Sequence, residues 1–259
     1  MIRLFPVDDR PAETIDARQA VALEARPRPS GRPWVYTNMI ASADGGTAVD
    51  GLSGQLGGPG DKAMFGALRA IADVILVGAS TVRAERYRPP NLRPESVAMR
   101  RARGQADHPR LVVVSRSLSI DLDLPLFDDP DNRPFIVTTE SSPIDKRTAL
   151  EQVADIIIAG QDGVSLQAAL SQLASTGVET VLSEGGPSIN GQLIDDGLID
   201  EWNLSISPRL LGGDSRRAAI GPLADGPPLP MTLSRVWTDN DLLFCRWVRS
   251  TTSDPDQDA

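Results

Sequence analysis

A chain of 259 residues, 41% hydrophobic and 24% charged, has enough apolar content for a substantial core and the length of one large domain or two small ones. The net charge of −9 excludes nucleic acid as a partner class, because backbone phosphates need a clustered basic surface; an anionic small ligand stays open, since a few N–H groups and one or two arginines hold a phosphate locally. The one cysteine and one histidine exclude an intrachain disulfide, a zinc site built on His and Cys, and a Ser-His-Asp triad. His108, beside Pro109, reads as a solvated loop residue, and Cys245, in the apolar run 242–247, as a buried strand residue. With no secretory leader and no apolar run of 18 residues, a cytoplasmic protein with no membrane partner is expected.

Residues 1–32 contain Asp8-Asp9-Arg10-Pro11 and Arg26-Pro27-Arg28-Pro29-Ser30-Gly31 and read as an N-terminal extension and linker, with residues 1–5 able to add an edge strand. Strand-like apolar runs follow at 35–40, 74–77, 111–114, 135–138, 156–158, 178–182 and 202–206. Helical periods lie between several of them. Residues 61–71 set Met64, Phe65, Leu68 and Ile71 on one face, residues 165–173 do the same with Leu166, Leu170 and Leu173, and 189–193 form a shorter helix. Runs apolar along most of their length suit strands covered on both sides, so the expectation is an α/β fold with a mostly parallel central sheet. After Leu198 the pattern becomes strand-rich, and 229–239 with 242–248 form a hairpin around Asp239-Asn240-Asp241. One domain of about 33–249 is expected, followed by a disordered acidic tail, 250–259.

Four segments could carry chemistry. Ser42-Ala43-Asp44-Gly45-Gly46-Thr47 sets a carboxylate at a strand end, where α/β sheets bind ligands, and is otherwise a tight turn. Val77-Gly78-Ala79-Ser80-Thr81-Val82 passes from strand to helix and offers N–H groups and two hydroxyls to an anion, or else Ser80 merely caps the helix. Leu182-Ser183-Glu184-Gly185-Gly186-Pro187-Ser188 is a second such turn, whose glycines admit a diphosphate against backbone while Glu184 braces the loop. In Val114-Ser115-Arg116-Ser117, an arginine flanked by hydroxyls suits the 2′-phosphate of NADPH, or is an ordinary surface arginine. Gly57-Gly58-Pro59-Gly60-Asp61-Lys62 lacks the P-loop pattern and reads as a turn and helix start; no G-x-G-x-x-G follows a strand, which disfavours a Rossmann dehydrogenase.

In order along the chain, Asn38-Met39-Ile40-Ala41-Ser42-Ala43-Asp44-Gly45, Leu68-Arg69-Ala70, the run from Asp73 to Ala84, Glu184-Gly185-Gly186-Pro187 and Pro208-Arg209-Leu210-Leu211-Gly212-Gly213 resemble the pyrimidine reductase family of riboflavin biosynthesis, over about residues 33–248. The resemblance implies a dihydrofolate-reductase-like three-layer sandwich, a homodimer, and NADPH-dependent reduction of a ribosylaminopyrimidine 5′-phosphate to its ribitylamino product. It implies Asp44 as the group assisting the substrate, with Asn38, Ser42, Ser53 and Glu184 around it. Gly78, Ala79, Ser80, Thr81, Gly185 and Gly186 would hold the cofactor, with Thr47 and Ala48 near the nicotinamide. Ser115 and Arg116 at the 2′-phosphate follow from the chemistry of the guanidinium rather than from the resemblance. Three departures stand out. The N-terminal zinc deaminase of the fused bacterial enzymes is not expected here. Gly46 stands where family members commonly carry a basic residue, and Ala84-Glu85-Arg86-Tyr87 where they often read Ala-Asp-Asp-Pro. Alternatives are a dihydrofolate or pterin reductase on the same fold, or a non-catalytic NADPH-binding protein. Trp202, Trp237 and Trp247 supply either an apolar dimer interface or core.

Overall fold

Alternate residues of the central strands feed two separate cores, which is what sets the layer order. In the computed structural model, which describes residues 1–6, 14–221 and 227–250, the chain runs β1 (Ile2–Phe5), α1 (Ala17–Leu23), β2 (Trp34–Thr37), β3 (Met39–Ser42), α2 (Pro59–Ile71), β4 (Val74–Gly78), α3 (Ala79–Glu85), α4 (Pro94–Ala102) and β5 (Arg110–Val114). It continues through β6 (Phe135–Thr138), α5 (Ile144–Glu151), β7 (Asp155–Ile158), α6 (Leu166–Ser175), β8 (Thr180–Ser183), α7 (Pro187–Asp195), β9 (Glu201–Ser207), β10 (Met231–Asp239) and β11 (Leu242–Arg249). Ile75 and Val77 of β4 pack with Met64, Leu68 and Ile71 of α2 and Val21 of α1. Val74 and Leu76 pack on the other face with Leu166, Leu170 and Leu173 of α6 and Leu193 of α7. Helices therefore cover both faces, and period-2 burial explains the unbroken apolar runs.

The strand order is β1-β10-β11-β9-β2-β8-β4-β5-β6-β7, with β3 paired to β9. Pairing is parallel from β9 through β7 and antiparallel among β9, β11, β10 and β1. The run 35–40 is not one strand. β2 lies beside β8, where Thr37 faces Ser183, whereas β3 lies beside β9, where Met39 faces Leu204. Asn203 of β9 holds this junction by donating through Nδ2 to the Thr37 carbonyl and through its N–H to Thr37 Oγ1. The change of partner at Asn38 opens the sheet at the C-terminal ends of its parallel strands, the place where α/β sheets bind ligands.

Residues 14–32 are not a linker. α1 packs on α2, Val21 is fully buried, and β1 pairs with β10 at the sheet edge. Charged residues of this segment are spent on buried ion pairs: Arg32 with Asp200 at 2.5 and 2.7 Å, Arg26 with Glu201 at 2.9 Å, and Glu24 with Arg26 and Arg235. Asp8-Asp9-Arg10-Pro11 and the tail from residue 251 lie outside the described residues. Cys245 is buried on β11, and the His108 ring accepts from the Leu92 N–H through Nδ1. Trp237 belongs to the core, whereas Trp202 and Trp247 are cross-strand partners on the half-exposed face of β9 and β11. Among the described residues no helix is long and apolar enough to cross a membrane.

Candidate active site

Two glycine turns close on each other at the sheet opening. The Gly78 N–H donates to the Gly185 carbonyl at 2.8 Å, and the Glu184 N–H to the Leu76 carbonyl at 3.0 Å. A Cβ on Gly78 would lie 3.3 Å from Ile189 Cγ1, and one on Gly186 would lie 2.8 Å from Thr81 Oγ1. The absence of side chains there lets β4, α3 and α7 meet with their backbones facing the cleft.

Three adjoining cavities follow the opening. The inner one, of 440 Å³, is lined by Asp61, Phe65, Arg69, Tyr87 and Glu184. The middle one, of 230 Å³, is lined by Thr47, Ala48, Ser80, Thr81, Gly185 and Gly186, and Asn38, Ser53, Glu85 and Glu184 border both. The outer one, of 530 Å³, is lined by Gly78, Ala79, Arg83, Ser115 and Arg116, and shares Ser80, Gly186, Pro187 and Arg216 with the middle one. The fit to a dinucleotide is steric and electrostatic: glycine backbone stands where a Cβ would close the groove, hydroxyls lie along it, and arginines lie at its outer end.

Ser42 and Asp44 do not join these residues. Ser42 Oγ donates to Asp44 and accepts from the Gly46 N–H at 2.9 Å. The exposed Asp44 carboxylate accepts from Leu211 N at 3.1 Å and Gly212 N at 2.7 Å, and it lines none of the three cavities. The Ser42 hydroxyl, then the Gly212 and Leu211 N–H groups, lower its pKa to about 2. A turn carboxylate finds the nearest backbone donors, and the loop that supplies them is over 160 residues away in sequence.

Sequence reading missed four groups. Arg69, inside the motif Leu68-Arg69-Ala70, grips Glu184 with Nε to Oε1 and Nη2 to Oε2, both at 2.7 Å, while its guanidinium stacks 4.1 Å from the Phe65 ring. Tyr87 OH donates to Glu184 Oε2 at 2.6 Å, and burial, then the Glu184 charge, raises its pKa well above the usual phenol value. Glu85 accepts from Ser53 Oγ at 3.4 Å at the border of the inner and middle cavities. Asp61, on the first turn of α2, has its pKa raised by burial, opposed by a hydrogen bond with Ser205. Glu85 and Tyr87 were visible only as departures from a family pattern, and Asp61 only as a helix-start residue.

Residues 33–245 match the model of the RibD C-terminal domain family. The 2,5-diamino-6-ribosylamino-4(3H)-pyrimidinone 5′-phosphate reductase of Archaeoglobus fulgidus is 30% identical over 186 residues, 70% of this chain and 83% of that protein. The protein of the same name from Methanothermobacter thermautotrophicus is 28% identical over 190 residues, 73% and 84% respectively. A pyrimidine reductase-like protein from Corynebacterium diphtheriae superposes with a TM-score of 0.78 at 26% identity, over 85% of this chain and 93% of that one.

Proposed function

Because the chain belongs to the RibD C-terminal domain family, whose matched relatives are reductases, we propose that it is an NADPH-dependent reductase of a ribosylaminopyrimidine 5′-phosphate in riboflavin biosynthesis. The observation that carries this reading is the contact between an inner cavity lined by carboxylates and a middle cavity lined by glycine backbone and hydroxyls. The glycine backbone and hydroxyls of the middle cavity and the arginines of the outer one would hold NADPH, which would supply a hydride. The substrate in the inner cavity undergoes cleavage of its C1′–O4′ bond, gains the hydride at C1′ and a proton at O4′, and leaves as the ribitylamino product.

Three carboxylates divide the work on the substrate. Glu184, held in place by Arg69 and Tyr87, orients the N–H and hydroxyl donors of the ribosylamino group. Glu85, on the border of the two cavities with Ser53 as its hydrogen-bond partner, exchanges the proton of the sugar ring oxygen. Asp61, half-buried on the wall of the inner cavity, accepts from the N–H edge of an aminopyrimidine. That last feature also favours a second reading, because a dihydropterin presents the same kind of edge; the same cavities then serve a dihydrofolate reductase.

NADPH oxidation with the ribosylaminopyrimidine phosphate and with dihydrofolate, measured side by side, separates these readings. Faster turnover of the pyrimidine is expected. Turnover of dihydrofolate alone moves the protein to the second reading, and NADPH binding without turnover of either leaves a non-catalytic nucleotide-binding protein. A homodimer is part of the proposal: Trp202, Leu204 and Ile206 of β9 and Leu243 and Trp247 of β11 form a half-exposed apolar face. Light scattering is expected to give twice the chain mass, and a monomer removes this element.

A further inference from the structure

The middle and outer cavities of the cofactor groove meet at four shared residues: Ser80, Gly186, Pro187 and Arg216. Three are uncharged. A dinucleotide that occupies both cavities threads its linker past these four, and that linker is a diphosphate. We propose that Arg216 is the cation that binds the dinucleotide's diphosphate where the two cavities meet, and that Asp44 is a positioning residue that fixes the loop 208–221 bearing it. The inference rests on the cofactor reading above and adds the group that recognises the diphosphate.

The loop is tied down on both sides. The Arg216 carbonyl accepts from Thr47 N at 3.1 Å and Thr47 Oγ1 at 2.7 Å, and Ser215 Oγ donates to the Ala48 carbonyl at 3.2 Å. Toward α7, Asn190 Nδ2 donates to the Ala218 carbonyl at 2.9 Å, and the Ile220 N–H to the Pro187 carbonyl at 3.0 Å. Asp44 holds the front of the loop through Leu211 and Gly212. Two close approaches fix its height. A Cβ on Gly46 would lie 2.8 Å from Ser215 Cβ, and one on Gly191 would lie 2.1 Å from the Ile220 carbonyl oxygen. The loop thus occupies the space that a side chain at position 46 would take. Arg216 is presented from a backbone that needs no reorganisation to meet a ligand, which is how a single exposed arginine gains affinity. The other two basic residues of the outer cavity are not shared with the middle one, and Arg83 donates to the Ser119 carbonyl at 2.7 Å.

Fluorescence titration of NADPH and of NADH, without substrate, tests the assignment. A diphosphate ligand serves both dinucleotides, whereas a 2′-phosphate ligand serves NADPH alone. Arg216→Ala is expected to raise both dissociation constants by the same factor, about ten- to a hundredfold, with Arg216→Lys between it and the wild type. Asp44→Ala is expected to raise both constants several-fold, and Asp44→Asn, whose amide oxygen still accepts from Leu211 and Gly212, to restore most of the affinity. Arg216→Ala with both constants within twofold of wild type, or with only the NADPH constant changed, overturns the Arg216 assignment. Asp44→Ala that leaves both constants unchanged overturns the positioning role. Wild-type protein that binds neither dinucleotide overturns the cofactor reading itself, and is distinguished from failure of the inference by needing no variant. Circular dichroism and melting of each variant confirm that the comparison is between folded proteins.

Discussion

Arg69 meets Glu184 through two parallel hydrogen bonds of 2.7 Å, joining the last turns of α2 to the glycine turn after β8 across the wall of the inner cavity. The Glu184 side chain is 3% exposed and the Arg69 side chain 18%. The geometry is the planar fork that a guanidinium makes and an ammonium does not.

Removing the Arg69 guanidinium therefore leaves a buried carboxylate with only Tyr87, among the described residues, as a side-chain donor. Arg69→Met is expected to lower stability by on the order of 3 kcal/mol, the cost of an uncompensated buried charge, read as a shift in the urea midpoint. Arg69→Lys keeps the charge but not the fork. It is expected to recover much of the stability and little of the kcat/KM. Equal recovery of both would make the fork irrelevant to the site.

Asp61 shows the opposite economy of charge. Burial raises its pKa, with Ser205 opposing, so the folded state holds the carboxyl proton more readily than the unfolded chain does. The sign follows: folding free energy is lost as pH rises through the unfolded carboxyl pKa toward the higher folded value. Asp61→Asn removes that loss, so its melting temperature at pH 7 is expected to equal or exceed that of the wild type. Its KM for the substrate is expected to rise at least tenfold, because the amide offers one acceptor where the carboxylate offers two. A lower melting temperature with unchanged KM would place Asp61 among structural residues instead.

The legible and illegible parts of this chain divide along physical lines. α2 and α6 were visible because their apolar residues repeat at the helical period, and β4 and β5 because both faces are buried. The glycine turns after β4 and β8 were visible because close backbone approach leaves a compositional mark. The break at Asn38 was not, since a change of hydrogen-bonding partner leaves the apolar run intact. Nor was the role of residues 24–32: Glu24, Arg26 and Arg32 look like solvated charges until Glu201, Asp200 and Arg235 are found opposite them. The same blindness to long-range partners hid the contact of Asp44 with Leu211 and Gly212.

That buried ion network carries a pH signature. Burial pushes the Glu201 carboxyl up, but Arg26 and Arg246 outweigh it and hold its pKa at about 2, below the ordinary 4.5. A depressed folded pKa gives stability that is fully present above about pH 4.5 and is lost as pH falls toward 2. Urea midpoints of the wild type are expected to fall across that window. Glu201→Gln is expected to be less stable at pH 7, by on the order of 3 kcal/mol, and to show a shallower decline. Parallel pH profiles would mean that another carboxylate governs acid stability.

Thr81 and Gly186 give a two-residue test of the groove. A Cβ at position 186 would lie 2.8 Å from Thr81 Oγ1, on a β-branched side chain with little rotational freedom. Gly186→Ala alone is expected to cost about 1–3 kcal/mol by overpacking and to raise the NADPH dissociation constant, because the cleft must open to admit the methyl group. Thr81→Ala removes the obstructing oxygen, so the double variant is expected to regain most of the lost stability. In a double-mutant cycle the coupling is then favourable and on the order of 1 kcal/mol or more. Affinity is expected to return only in part, since the added methyl still occupies groove space that glycine leaves open. Strict additivity of the two substitutions would mean that α3 and the 184–186 turn do not meet at this contact when the protein is in solution.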